Sequence, residues 1–241
     1  MARPVRLAPD GNGPLCRNLI LRDVIVRDAV AFLYAGGTAG GRIKGIEISG
    51  CRAIRCYYGL VFEENGDDVT VHLETVNCRR SYFPYGIARH RIRLTVYHDG
   101  KGLGAEACCL IKRYQQDTSD IDLELQLRGP ALPFRYAVKL EHQPTLATPS
   151  SIIRNVRAFV DLARAWKASD PVVPFGLSSY SGTKEERGVT RNRWQDVVLS
   201  GRFPAELRQL IDVRATPFVQ DRMTLPRGPW ADPPGFIITR Q

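Results

Sequence analysis

Apolar and polar residues alternate over short spans along most of this chain. Leu19 and Leu21, Ile46 and Ile48, Val69, Val71 and Leu73, Leu94 and Val96, and Ile121, Leu123, Leu125 and Leu127 carry the pattern. A period of two puts every second side chain on one face, as a half-buried β-strand does. Gly, Asn, Asp and Pro punctuate the runs at the positions turns would occupy. Segments with the 3.6-residue period of packed helices are scarce, so the pattern predicts an all-β protein, with one short helix over 205–213.

The runs match best at long range rather than across two-residue turns. Tyr58-Gly59-Leu60 and Tyr85-Gly86-Ile87 stand 27 residues apart, as do Cys51 and Cys78. Val69-Thr70-Val71 aligns with Leu94-Thr95-Val96 and then with Ile121-Asp122-Leu123, at steps of 25 and 27. A weak repeat of this length is the mark of stacked coils. Each coil then supplies two strands, one series near 43–48, 68–74, 93–98 and 120–127, the other near 58–63, 85–90, 108–113 and 136–142. About six to seven such coils fill residues 17–204. Residues 1–16 are expected to cap one end, and 205–241, too rich in Pro and Gly for another regular coil, to form a cap or an oligomer contact, because open strand edges must be covered. Pro-bearing insertions at 128–134 and 169–174 and a polar flap at 178–192 are expected to project from one edge.

Ile46-Glu47-Ile48-Ser49-Gly50-Cys51, Tyr58-Gly59-Leu60-Val61-Phe62, Tyr85-Gly86-Ile87 and Ile121-Asp122-Leu123-Glu124-Leu125 give the chain its likeness to a known group. It resembles the right-handed parallel β-helix superfamily, the pectate-lyase-like fold of polysaccharide lyases, some glycoside hydrolases, epimerases and phage tailspikes. The resemblance is one of fold and covers roughly residues 17–204; it carries no catalytic signature over to this chain.

The formal charge is +9 with an isoelectric point near 9.5, which favours an acidic partner: an anionic glycan, a nucleic acid or a lipid surface. Of 34 basic residues 28 are Arg, a bias that fits planar anion recognition and equally a genome rich in G and C. The basic residues are dispersed and no helix or RNA-binding motif accompanies them, which argues against nucleic acid. No stretch of 18 apolar residues is present to span a bilayer, and Met1–Leu15 holds Pro, Gly and Asp where a secretory signal would be apolar. An extracellular or virion-associated location would then imply either a signal lost from this sequence or another route, such as assembly into a phage particle followed by lysis. Six Cys in no CxxC arrangement read as buried free thiols, and no cofactor is implied. Asp67-Asp68 after Asn65-Gly66 reads as a turn, with calcium as a minor alternative.

Equivalent positions in stacked strands form ladders with a spacing of about 4.8 Å. With Gly59, Gly86, Cys109 and Ala137 taken as equivalent, Glu63, His90, Arg113 and Glu141 form one outward column, beside Glu64, Arg89, Lys112 and His142. Such a column could serve β-elimination on a uronic-acid polymer. Arg113 would neutralise the sugar carboxylate, His90 or Lys112 would take the α-proton, and Glu63 or Glu141 would orient the base. Glu63 and Glu141, three steps or about 14 Å apart, are too distant for the paired carboxylates of glycoside hydrolysis. Alternating charge also arises wherever neighbouring surface residues avoid like-charge contacts. His72, Tyr97 and Glu124 form a second expected column. Tyr57, Tyr58, Tyr82, Phe83 and Tyr85 offer rings on which sugars could stack, or simply pack the corner of a coil.

These readings converge on a β-helix protein that recognises an acidic polysaccharide on its lateral face, with elimination as the reaction class. The competing reading is a non-catalytic spike, tail or baseplate component, with a homotrimer or virion proteins as partners.

Overall fold

A computed structural model describes residues 6–7, 16–36, 43–64, 66–113, 116–143, 150–165, 172–179, 191–214, 221–233 and 236–241. The strands over its first half are β1 (Arg6–Leu7), β2 (Cys16–Arg22), β3 (Ile25–Arg27), β4 (Ala31–Ala35), β5 (Ile43–Ile54), β6 (Tyr58–Glu63), β7 (Asp67–Val76), β8 (Arg80–Tyr85) and β9 (Ala88–Asp99). The remainder are β10 (Ala105–Arg113), β11 (Thr118–Ala131), β12 (Phe134–His142), β13 (Ser150–Asp161), β14 (Val173–Ser179), β15 (Arg191–Arg202), β16 (Ile211–Arg214), β17 (Asp221–Leu225) and β18 (Phe236–Arg240). No helix occurs among the described residues.

The strands form two sheets, and every pairing is parallel. The first sheet runs β1-β4-β6-β8-β10-β12-β14-β16, and the second runs β2-β5-β7-β9-β11-β13-β15-β17-β18 with β3 also beside β5. From β3 to β17 the chain passes from one sheet to the other at every strand. Each strand then hydrogen-bonds to its counterpart one pass away, an arrangement consistent with a parallel β-helix.

The core lies between the sheets. Along the second sheet Ile46, Val69, His90, Ile121, Val156 and Val197 form one inward ladder, and Ile48, Val71, Ile92, Leu123, Ala158 and Leu199 another. Leu60, Tyr82, Cys109, Val138 and Phe175 face them from the first sheet. All of these are buried, and each large aliphatic contributes about 1.5–3 kcal/mol. Cys51, Cys56, Cys78, Cys108 and Cys109 are buried free thiols, and Cys16 is half-buried.

A line of left-handed residues runs across the second sheet. Asn18, Gly45, Asp68, Arg89, Asp120, Asn155 and Asp196 all have positive φ, between 51° and 70°. Each lies one residue before a member of the first inward ladder, so the seven stack in register. Asn and Asp tolerate this conformation because their short side chains bond locally. Asn155 donates to Asp120 at 2.8 Å, and Arg89 clasps Asp68.

The register differs from the sequence expectation in two places. Tyr58 pairs with Arg80 and Glu63 with Tyr85, so residues 85–90 are no single strand: β8 ends at Tyr85 and β9 begins at Ala88. The matching Tyr-Gly pairs mislead because their glycines do different work. A Cβ on Gly59 would stand 2.5 Å from the Ser81 carbonyl oxygen, whereas Gly86 turns the chain at φ 62° after β8. Val69 pairs with His90 rather than Leu94, a shift of four residues, because a histidine occupies an inward position that an aliphatic search passes over. Beyond Pro204, the expected end of the stacked region, the sheets continue through β16, β17 and β18. The helix expected over 205–213 is absent: a turn closes from Leu207 N–H to the Pro204 carbonyl, and Ile211 joins Phe175 in the first sheet. The flap at 178–192 and the insertion at 169–174 fall largely outside the described residues.

Candidate functional site

The outward face of the first sheet gathers five of the polar side chains singled out from sequence, Tyr58, Glu63, Tyr85, Lys112 and Glu141. Alternation along β6, β8, β10 and β12 turns Glu63, Tyr85, Lys112 and Glu141 away from the core, and pairing sets them in one row that continues to Ser178 and Arg214. Glu63 and Glu141 are therefore three rungs apart, as the sequence spacing suggested. Tyr85 and Lys112 stand between them, where His90 and Arg113 were expected.

Two carboxylates anchor this row. The Tyr34 and Tyr85 hydroxyls both bond Glu63, and burial together with that bond pushes the Tyr85 phenol well above its usual range. Glu141 receives two ammonium groups, Lys112 at 2.8 Å and Lys139 at 2.6 Å, and the Ser178 hydroxyl at 3.3 Å. Burial raises the Glu141 carboxyl, but the two lysines outweigh it and hold the group below the ordinary carboxylate value. Lys139 also reaches Glu106 at 2.9 Å, and Lys112 donates to the Gln143 side-chain oxygen at 3.0 Å.

Aromatic rings adjoin the row. Phe83 stacks on Tyr58 with centroids 5.7 Å apart and planes at 15°, and lies 5.6 Å from Tyr85. Cations stand over the Phe83 ring, the Arg80 guanidinium at 4.8 Å and the Lys112 ammonium at 5.8 Å. Tyr57 packs edge-on against Tyr58 and carries Arg79 at 4.4 Å. A hollow of about 340 Å³ opens between Phe83, Tyr85, Lys112 and Gln143. Half-buried rings flanked by cations can hold a sugar face by stacking and its carboxylate by charge.

The remaining candidates lie elsewhere. His90 points into the core from β9, fully buried; its Nε2 donates to the Gly66 carbonyl, so Nδ1 accepts from the Tyr82 hydroxyl at 2.8 Å. Burial lowers its pKa to about 4, and the ring is neutral at pH 7. Tyr82 is itself fully buried and offers no face to a sugar. Arg113 is buried in register with His142 and lies 3.5 Å from Asp117. His142 packs edge-on against Trp194 at 4.3 Å, with burial lowering its pKa to about 3. Arg89 sits on the opposite sheet, paired with Asp67 and Asp68. The column expected from His72, Tyr97 and Glu124 is instead His72, Arg93 and Glu124; Tyr97 pairs with Val76 and Arg128. Asp67 opens β7, and its carboxylate accepts from the Ala88 N–H. Among the described residues, no group of three or more His, Cys, Asp or Glu side chains is arranged to hold a metal ion.

Sequence reasoning missed Tyr34, Lys139, Arg80 and Ser178. Tyr34 and Lys139 belong to the outward column next to the Glu63 row, reached through Val61, Phe83 and Leu110, and only the true register exposes that adjacency. Comparisons with protein-family models, with curated proteins and with solved structures find no significant match to this chain.

Proposed function

We propose that the two alternating parallel sheets are walls of a right-handed parallel β-helix whose first sheet binds an acidic polysaccharide on its outward face. The hand follows from the strong preference of parallel crossovers for the right-handed sense. The observation that carries the binding reading is the ring pair Tyr58–Phe83 with Arg80 and Lys112 over it, beside the Glu63–Tyr85–Lys112–Glu141 row. Stacking suits any pyranose, and the two cations favour one bearing a carboxylate.

Elimination has less support. His90 and Arg113 are packed into the interior, and Lys112 spends its ammonium on Glu141 and Gln143. The same dispersal favours the second reading, a non-catalytic spike, tail or baseplate component that binds without turnover.

Titration calorimetry with pectate, alginate, hyaluronan and neutral dextran tests the proposal. Binding of a polyuronate and not of dextran is expected, weakened about tenfold by Phe83→Ala, since an aromatic contact is worth about 1.4 kcal/mol. Arg91→Ala, on the other sheet, should leave it unchanged. Failure of every polyuronate to bind, or insensitivity to Phe83→Ala, would overturn the reading. Ultraviolet absorbance of an unsaturated product in the same mixtures separates cleavage from binding alone.

A further inference from the structure

Cys56 and Cys78 face each other across two rungs at the corner where the chain leaves the second sheet for the first. The pairs on either side, Ile54 with Val76 and Tyr58 with Arg80, share an offset of 22 residues, which sets Cys56 directly beside Cys78. The backbone bonds Arg55 N–H to Val76 and Arg79 N–H to Cys56 keep that register through the corner. Strand neighbours lie about 4.8 Å apart, inside the roughly 4.4–6.8 Å between Cα atoms that a disulfide spans. Both side chains join the core, where the Cys56 thiol faces the Val26 and Ile54 carbonyls and the Cys78 thiol those of Ala53 and Val76. Cys56 also borders a cavity of about 430 Å³ whose walls carry Arg55, Arg79 and Lys101, with Asp99 the carboxylate among them. A thiolate forming there meets a predominantly cationic wall, as would an anionic disulfide reagent.

We propose that Cys56 and Cys78 are a dithiol–disulfide couple, oxidised by exchange with a low-molecular-weight disulfide and reopened by a thiol reductant. The Cys56 thiolate attacks one sulfur of the reagent through the cavity, forming a mixed disulfide and releasing the first thiolate, which takes up a proton. Cys78 then attacks the Cys56 sulfur, its proton passing to the departing thiolate, which leaves as the second thiol. Two protein thiols are oxidised by two electrons in all, and one reagent disulfide is reduced to two thiols. Cys56 lines the cavity and Cys78 does not, which makes Cys56 the attacking group.

The sequence makes the test clean. Trypsin releases residues 56–79 as one peptide, in which Cys56 and Cys78 are the sole cysteines. Native protein is incubated with oxidised glutathione, alkylated under denaturing conditions and mapped by mass spectrometry. The expected product is this peptide unalkylated and about 2 Da lighter than its dithiol form, recovered as the dithiol after dithiothreitol. The other four cysteines remain alkylatable. Cys78→Ala should instead trap glutathione on Cys56. Alkylation of both thiols after oxidation, a persistent glutathione adduct on wild-type Cys56, or equally fast closure in urea would each overturn the proposal. None of these readouts depends on glycan binding.

Discussion

The outward faces of the two sheets are built by the same stacking and differ in what stacking does to charge. On the first sheet the Glu141 end of the polar row is buried: the Glu141 side chain is 10% exposed and that of the adjoining Lys139 6%, and two lysines converge on one carboxylate. On the second sheet Arg91, Asp122 and Arg157 alternate in the open, and the adjoining Arg93–Glu124 pair is 74% and 40% exposed. Exposed pairs are worth about 0–1 kcal/mol, because water screens them. Desolvated ones make removal of a single partner costly. Charge alternation along a ladder therefore says little until burial is known.

The sharpest break in this comparison is Glu141→Gln, which leaves two ammonium groups facing an amide in a buried site. It should cost about 4 kcal/mol in denaturant-induced unfolding; a loss under about 1 kcal/mol would put the first sheet's row on a par with the exposed face.

Acidification probes the interior that the two faces share. His90 on the second sheet and His142 on the first are buried, with pKa lowered to about 4 and about 3. In the unfolded chain a histidine titrates near 6.5, so below that pH the unfolded state binds protons the folded state refuses, and stability falls as pH drops toward 4. Two such groups should remove about 4 kcal/mol between pH 7 and pH 5. Unfolding curves at a series of pH values check this, and a flat profile would mean that the rings accept protons in place.

Asp120→Val sets a β-branched side chain at φ 56° and removes the bonds from Asn155 and Ser119. A loss of about 1–2 kcal/mol is expected, with Asp120→Gly closer to the wild type because glycine adopts this backbone freely. Equal losses for the two substitutions would shift the cost from the backbone to the side-chain bonds.

The smallest effect belongs to the second sheet's open face. Arg91→Ala and Asp122→Ala should each change stability by no more than about 0.5 kcal/mol. A larger change from either would show that this face is coupled to the structure as closely as the first.

Residue order alone was enough to reveal alternation, and with it strands, parallel long-range pairing and the buried thiols, because a period of two is a local property of the chain. The three-rung spacing of Glu63 and Glu141 was also legible; the parity of β10 was not, for Arg113 was expected outward, whereas the structure buries it and turns Lys112 out. The correct register had a signal too. Asn18-Leu19, Gly45-Ile46, Asp68-Val69, Asp120-Ile121, Asn155-Val156 and Asp196-Val197 each place a left-handed residue before the first inward aliphatic. Arg89-His90 interrupts that series, which is why a search for aliphatic repeats slid to Leu94.

Only the tertiary structure decided what His90, Arg113 and Glu141 are. A histidine can sit inside when Tyr82 and the Gly66 carbonyl satisfy both its nitrogens, and a glutamate can be buried when Lys139 of its own strand and Lys112 of the neighbouring rung meet it. Tyr82, Gly66 and Lys112 come from other passes of the chain, and a shift of a few residues in register exchanges them. Local sequence specifies which positions alternate; which residues become neighbours across the rungs is set by packing and backbone pairing summed over the whole stack.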